Sequence, residues 1–153
     1  MSPRTLYRRI AMAEVITWAL LLSGMFLKYV TETTDLGVRV FGLIHGVVFI
    51  GFCLITVFIW VNQQWSTREG LLGLASAVPP FLTVWYERRM EHAGRLEGGW
   101  RLGHGGDAPT TTAERIVAWM IARPGPAVAL GLIAVAGLTS LALIIGPPVG
   151  RGG

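Results

Sequence analysis

Arg39 to Trp60, RVFGLIHGVVFIGFCLITVFIW, carries no charge between its first and last residues. A helix of that length crosses a bilayer hydrocarbon core of ~30 Å. The one ionisable side chain inside the run is His45, bracketed by Gly42 and Gly46 at a spacing that lets a neighbouring helix come close. A soluble fold has little use for such a run. The rest of the chain agrees: it is 52% hydrophobic and only 14% charged, outside the range of soluble domains. At 153 residues there is room for one compact membrane domain and one sizeable loop or tail.

The first span is expected at about 11–30, AMAEVITWALLLSGMFLKYV, behind Arg4, Arg8 and Arg9. It reads as an uncleaved span, because the run is long, contains Glu14 and is followed by no small-residue cleavage pattern. Glu14 in the first turn and Lys28 in the last suit the helix dipole and read as interfacial anchors. Thr17 shares their face, which is expected to pack inward. TETTDLGVR then makes a short turn into the second span, 39–60. Ser66 to Glu69 has the form of a capping box and opens a helix at Thr67. A third span is expected at about 69–86, with Pro79 and Pro80 kinking its centre against protein.

From Met90 to Thr110 the chain turns glycine-rich and charged, and reads as a solvent loop of little intrinsic structure. Thr111 to Glu114 is a second capping box, opening the short amphipathic stretch ERIVAWMIAR, which is expected to lie in the membrane interface. The fourth span is expected at about 126–147, stopped by Pro147 and Pro148, with Gly131 and Ala134 on a close-packing face. The fold class is therefore all-α: a polytopic integral membrane protein of four transmembrane helices and one short interfacial amphipathic helix. It divides into a three-span domain at 1–90, a Gly-rich extramembrane loop with the interfacial helix at 91–125, and the fourth helix with a short tail at 126–153.

Charge gives conflicting orientations. Three arginines before the first span put the N-terminus inside, yet four crossings then leave the six arginines of 88–125 outside. Inverting the protein repairs this, and so does making the proline-broken third segment re-entrant. Four crossings with the N-terminus inside remain the expectation.

Little in the chain carries chemistry. Haem held between helices usually needs two histidines, and His92 and His104 lie in the Gly-rich loop, so no haem is expected at His45. One histidine is also too few for a metal site, and Cys53 is the single cysteine. Glu14 is expected at the opposite end of the bundle from His45, which breaks any proton relay between them. Lys28 is expected to be nearer. His45 therefore reads as a tether to a hydroxyl or carbonyl on a facing helix. With no nucleophile–base pair or phosphate loop, the chain is not expected to be an enzyme by itself, nor to hold a cofactor. Its basic residues flank apolar runs, so the expected partners are lipids and other membrane subunits and not nucleic acid.

The order of motifs over residues 6–90 is distinctive: an early Glu, GMFLKYV, GLIHGVVF, a tryptophan loop, then ASAVPPFLTVWYERR. This resembles a bacterial family of small integral membrane proteins of unknown function, usually of three spans. The motif positions are Glu14, Lys28, Tyr29, Gly42, His45, Gly46, Pro80 and Glu87. Leu82 departs from the small residue that usually follows Pro-Phe. The resemblance implies a multi-span membrane protein and supplies no activity. Small size, glycine-rich packing faces and an extramembrane loop lead to the expectation of a non-catalytic accessory or assembly subunit of a larger complex in the bacterial plasma membrane, with the respiratory electron-transfer supercomplex as the specific host. The alternative is a small oligomeric channel or transporter, or a binder of a hydrophobic small molecule near the Pro79-Pro80 kink.

Overall fold

The computed structural model describes residues 1–145, which form six α-helices; the end of the expected fourth span, its Pro147-Pro148 stop and the tail lie outside them. Helix α1 (Pro3–Tyr29) starts eight residues earlier than the first apolar run. Pro3 is preset for a first helical position, and the Ser2 hydroxyl accepts from the Thr5 amide at 3.2 Å. The arginines thus ride on the helix, and Glu14 sits in its interior. Its expected place in a first turn, as a dipole-matched anchor, is corrected by this earlier start. Helix α2 (Leu36–Asn62) returns antiparallel to α1 across a short turn. The two meet backbone to backbone at Gly24 and Gly37, where a Cβ built on Gly24 would lie 2.7 Å from the Gly37 carbonyl carbon. Towards the other end Tyr7 stacks on Phe52, with ring centroids 5.6 Å apart. α2 ends with Gln64 at φ 51° and the Trp65 amide bonded back to the Trp60 carbonyl, a Schellman-type stop.

The third segment is not one helix. α3 (Thr67–Ala75) opens with the Ser66–Glu69 capping box and stops before the two prolines. α4 (Leu82–His92) begins after them, behind Phe81 in a left-handed conformation at φ 67°. Neither proline can donate an amide hydrogen bond, so the chain breaks over 76–81 where a kink was expected. The two short helices then double back. Arg95, just past α4, bonds both carboxylate oxygens of Glu69 at 2.7 and 2.9 Å; the Tyr86 hydroxyl reaches the Glu69 carbonyl, and the Trp65 indole reaches the Arg95 carbonyl. Both ends of the hairpin therefore lie at the end of the bundle where α1 starts and α2 stops. Arg4 of α1 pairs there with Glu91 of α4. At 9 and 11 residues, neither helix can cross a bilayer, whereas α1, α2 and α6 are long and apolar enough to do so.

The Glu69 clasp gives an acid-sensitive hairpin. The Arg95 guanidinium, helped by the Ser66 amide and hydroxyl, holds the Glu69 carboxyl down to about 2, against 4.5 for a free glutamate. A folded-state value below the unfolded one stabilises fully above 4.5, and the gain is lost as pH falls through that range towards 2. Titrating purified protein from neutral to acid while following tryptophan fluorescence should show unfolding steepen in this window. Glu69→Gln should flatten the response, and an unchanged slope would show that the clasp contributes nothing.

The Gly-rich stretch packs more closely than its composition suggests. Arg101 caps α2 by donating to the carbonyls of Asn62 at 2.7 Å and Val61 at 3.2 Å, and reaches Glu114 of α5 (Thr112–Ala122) at 2.5 Å. Leu96 and Leu102 are buried, and the Trp100 indole bonds the Met1 carbonyl. α6 (Pro124–Ile145) leaves from this same end and packs on α2, with Ala127 as its one buried residue among those described.

Candidate functional site

A polar cluster lies at mid-height between α1, α2 and the hairpin. Glu14 stands eleven residues into α1, about 16 Å along its axis. It is fully buried, and its Oε2 accepts from the Thr83 hydroxyl at 2.8 Å. Thr83 is the second residue of α4, so the positive end of that helix dipole lies at the carboxyl group. Glu14 Oε1 has no hydrogen-bond partner among the described residues. One turn further along α1, the Thr17 hydroxyl donates to the Glu14 backbone carbonyl at 2.9 Å and lies 3.1 Å from His45 Nδ1. A hydroxyl has one proton, so with that proton on the carbonyl it accepts from Nδ1–H. His45 is then the Nδ1–H tautomer, with its Nε2 lone pair free of Thr17. Trp18 packs its ring 4.4 Å from the imidazole and donates its indole N–H to Ala77 at the tip of the hairpin.

A second group lies nearer the α1 start. Glu87, one turn after Thr83 on the same face of α4, is 2% exposed with Oε1 unpartnered. The buried Tyr7 and Thr56 hydroxyls also lack partners among the described residues. α3 presses against them, since a Cβ on Gly73 would meet Thr56 at 2.9 Å, Tyr86 at 3.1 Å and the Tyr7 hydroxyl at 3.4 Å.

The structure thus brings together residues that the linear order set apart. Thr17 contacts both His45 and the Glu14 backbone carbonyl, so His45 lies about one turn from Glu14 and not at the opposite end, as was expected; the Glu14 carboxyl itself bonds Thr83. Lys28, expected to be the nearer group, lies eleven residues beyond Thr17 with its amine over the Tyr29 ring. Pro79 and Pro80 are exposed at the hairpin tip. Gly42 makes ordinary contact with Leu21 at 3.8 Å, while Gly46 and Gly131 face open space and Ala134 is exposed. The close approach of α1 and α2 is at Gly24 and Gly37 instead. The available signal was that Gly24 is the single glycine of α1, a residue costing ~1 kcal/mol in a helix interior unless packing requires it. Thr83 and Tyr7 carried no signal without the fold. Among the described residues no three His, Cys, Asp or Glu side chains converge to hold a metal ion. What the cluster offers chemically is exchangeable protons and hydrogen-bonding groups away from solvent.

Residues 4–92 match the family described as a domain of unknown function, DUF3817. The chain belongs to this family. Over 88 residues it is 47% identical to a Streptomyces coelicolor protein named "Putative membrane protein SCO5905". That alignment covers 57% of this chain and 10% of the relative, so the chain spans about a tenth of the length of the curated relative it matches. No solved structure matches the chain. DUF3817 is thus a bacterial family of membrane proteins, and its boundaries coincide here with α1 to α4. Both halves of the polar cluster fall inside the family module; α5 and α6 fall outside it.

Proposed function

We propose that this protein is a non-catalytic accessory or assembly subunit of a larger complex in the bacterial plasma membrane. In this reading α1, α2 and α6 cross the membrane and α3–α4 is a re-entrant hairpin, in place of a fourth crossing, with α5 at the interface. The observation that carries the proposal is the hairpin tip. Over 76–81 the backbone is irregular, beside the middle of α1, with Val78 65% and Phe81 46% exposed. Irregular backbone at membrane depth is tolerated only where protein or an aqueous cavity meets it, because lipid offers no hydrogen bonds. A second protein over the tip fits that demand. The relative, in which the module is a small part of a longer chain, fits a building-block role as well. The respiratory electron-transfer supercomplex remains the first host to test, on the sole ground that small non-catalytic subunits are common in such assemblies.

A photo-crosslinking residue at Val78, in cells, tests this directly. Capture of a different membrane protein, recovered in stoichiometric amount in mild detergent, supports the subunit reading; lipid adducts alone would overturn it. Capture of a second copy alone would favour the alternative, an oligomeric channel, transporter or binder of a small hydrophobic molecule. The Glu14–Thr17–His45 cluster beside the tip is what recommends that alternative.

A further inference from the structure

The face of α4 that packs on α1 repeats polar side chains at every turn: Thr83, Glu87 and Glu91. Successive Cβ atoms at this spacing lie ~6 Å apart, so the three form a ladder along the helix. Its inner rung is bonded to Glu14 at mid-height of the bundle, and its outer rung is paired with Arg4 at the end where α1 starts. Between them Glu87 is nine-tenths buried and more, with an unpartnered oxygen, as is Glu14 itself. Neither carboxyl forms an ion pair among the described residues. Of the titratable groups, Tyr7 of α1 lies beside Glu87 and Cys53 of α2 towards Glu14; His45 of α2 bonds Thr17, one turn from Glu14, and Tyr86 of α4 lies against Tyr7, as does Gly73 of α3, which does not titrate.

A tether between α1 and α4 does not need an acid. Glutamine at 14 would accept from Thr83 equally well, without the cost of an ionisable group in a membrane. The surroundings instead suit both protonation states of Glu14. The α4 N-terminus and the Thr83 hydroxyl stabilise its anion, and the absence of a cation partner among the described residues leaves the neutral acid unopposed. We infer that Glu14 is a proton-binding site in the membrane interior, exchanging with water at the α1-start end of the bundle through Glu87 and Glu91. Glu87 passes its proton to the Glu14 carboxylate, where an O–H bond forms; Glu87 regains one from Glu91, and Glu91, briefly released from Arg4, takes one from water at that end. No electron moves, and release retraces the same steps. Thr17 and His45 stand on the far side of Glu14, as its neighbours towards the other end.

The test uses the full chain in native membrane vesicles of both orientations, with dicyclohexylcarbodiimide as probe. This apolar reagent adds to protonated carboxyl groups in apolar surroundings, and the N-acylurea is located by peptide mass spectrometry. The Glu14 adduct is expected to fall by about tenfold or more when the pH facing the α1 start is raised from about 6 to about 9. The same change on the opposite side should leave it unaltered. Glu14→Gln should abolish the adduct at that peptide. Glu87→Gln, which keeps the shape of the rung, should slow the response to a pH jump by about tenfold or more, the loss expected of a positioned proton-transfer group. Absence of a Glu14 adduct at every pH, a yield indifferent to pH on both sides, or a yield that follows the opposite side would each overturn the proposal. So would a Glu87→Gln response as fast as that of the unsubstituted chain. Because the wild-type measurement decides on its own, a variant that fails to fold does not rescue the idea.

Discussion

Gly24→Ala is expected to destabilise the folded chain by ~3 kcal/mol, whereas Gly46→Ala should cost nothing. The added methyl at position 24 would lie 2.7 Å from the Gly37 carbonyl carbon and 2.9 Å from the Val38 nitrogen. These are backbone atoms, with no rotamer to move away, so α1 and α2 must separate along their contact. In a membrane that contact is held by close packing and not by a hydrophobic force, because lipid is as apolar as the helices. At Gly46 a Cβ meets nothing within 4 Å, and alanine gains the ~1 kcal/mol of helix propensity that glycine forgoes. Equilibrium unfolding of the purified chain in mixed detergent micelles, followed by helical circular dichroism, separates the two. Equal stability of the variants would mean that the hairpin is not closed at Gly24. If Gly46→Leu also leaves the isolated chain intact yet prevents recovery of its complex, the open face at Gly46 is where the complex meets this helix.

The second large effect is positional. In a Cys53→Ser background, a cysteine at Thr33 is expected to react with a membrane-impermeant maleimide on intact spheroplasts, and a cysteine at His104 only after permeabilisation. Both sites are exposed, so accessibility from one side is the only variable. The hairpin is the physical cause. Because α3 and α4 return to the end where they began, the 93–111 segment stays with the α1 start, where the Trp100 indole bonds the Met1 carbonyl. Ten of the thirteen basic residues then share one side, three in the first turns of α1 and seven between Arg68 and Arg123. A positive-inside distribution results without inverting the protein. Labelling of both cysteines from outside would restore four crossings and remove the re-entrant hairpin.

Much of the architecture is written in local chemistry. Long uncharged runs mark α1, α2 and α6; Ser66–Glu69 and Thr111–Glu114 open α3 and α5 as capping boxes; and adjacent prolines stop α3. The family was also legible: the resemblance read over 6–90 agrees with the matched residues 4–92. What could not be read was every relation that depends on where a helix begins or turns back. Pro3 lengthened α1 by eight residues, which moved Glu14 from an expected end to the interior. Periodicity cannot detect this, since RRIAM is as helical as the apolar run beyond it. The loop between α4 and α5 misled for the opposite reason. Its glycines predict looseness, yet one side chain, Arg101, ties it to two carbonyls of α2 and to Glu114.

The run from Arg39 to Trp60, by itself, determined that this chain carries a membrane-length helix with a lone histidine inside it, since nothing else shelters so many apolar residues. Only the tertiary structure decided what that histidine meets. A sequence reports which residues share a helix face, whereas the depth at which two helices align depends on where each starts and on the closest backbone contact between them. The Gly24–Gly37 approach sets that register. It places His45 at Thr17, one turn from Glu14, and the proline break returns Thr83 to the same level from the other side.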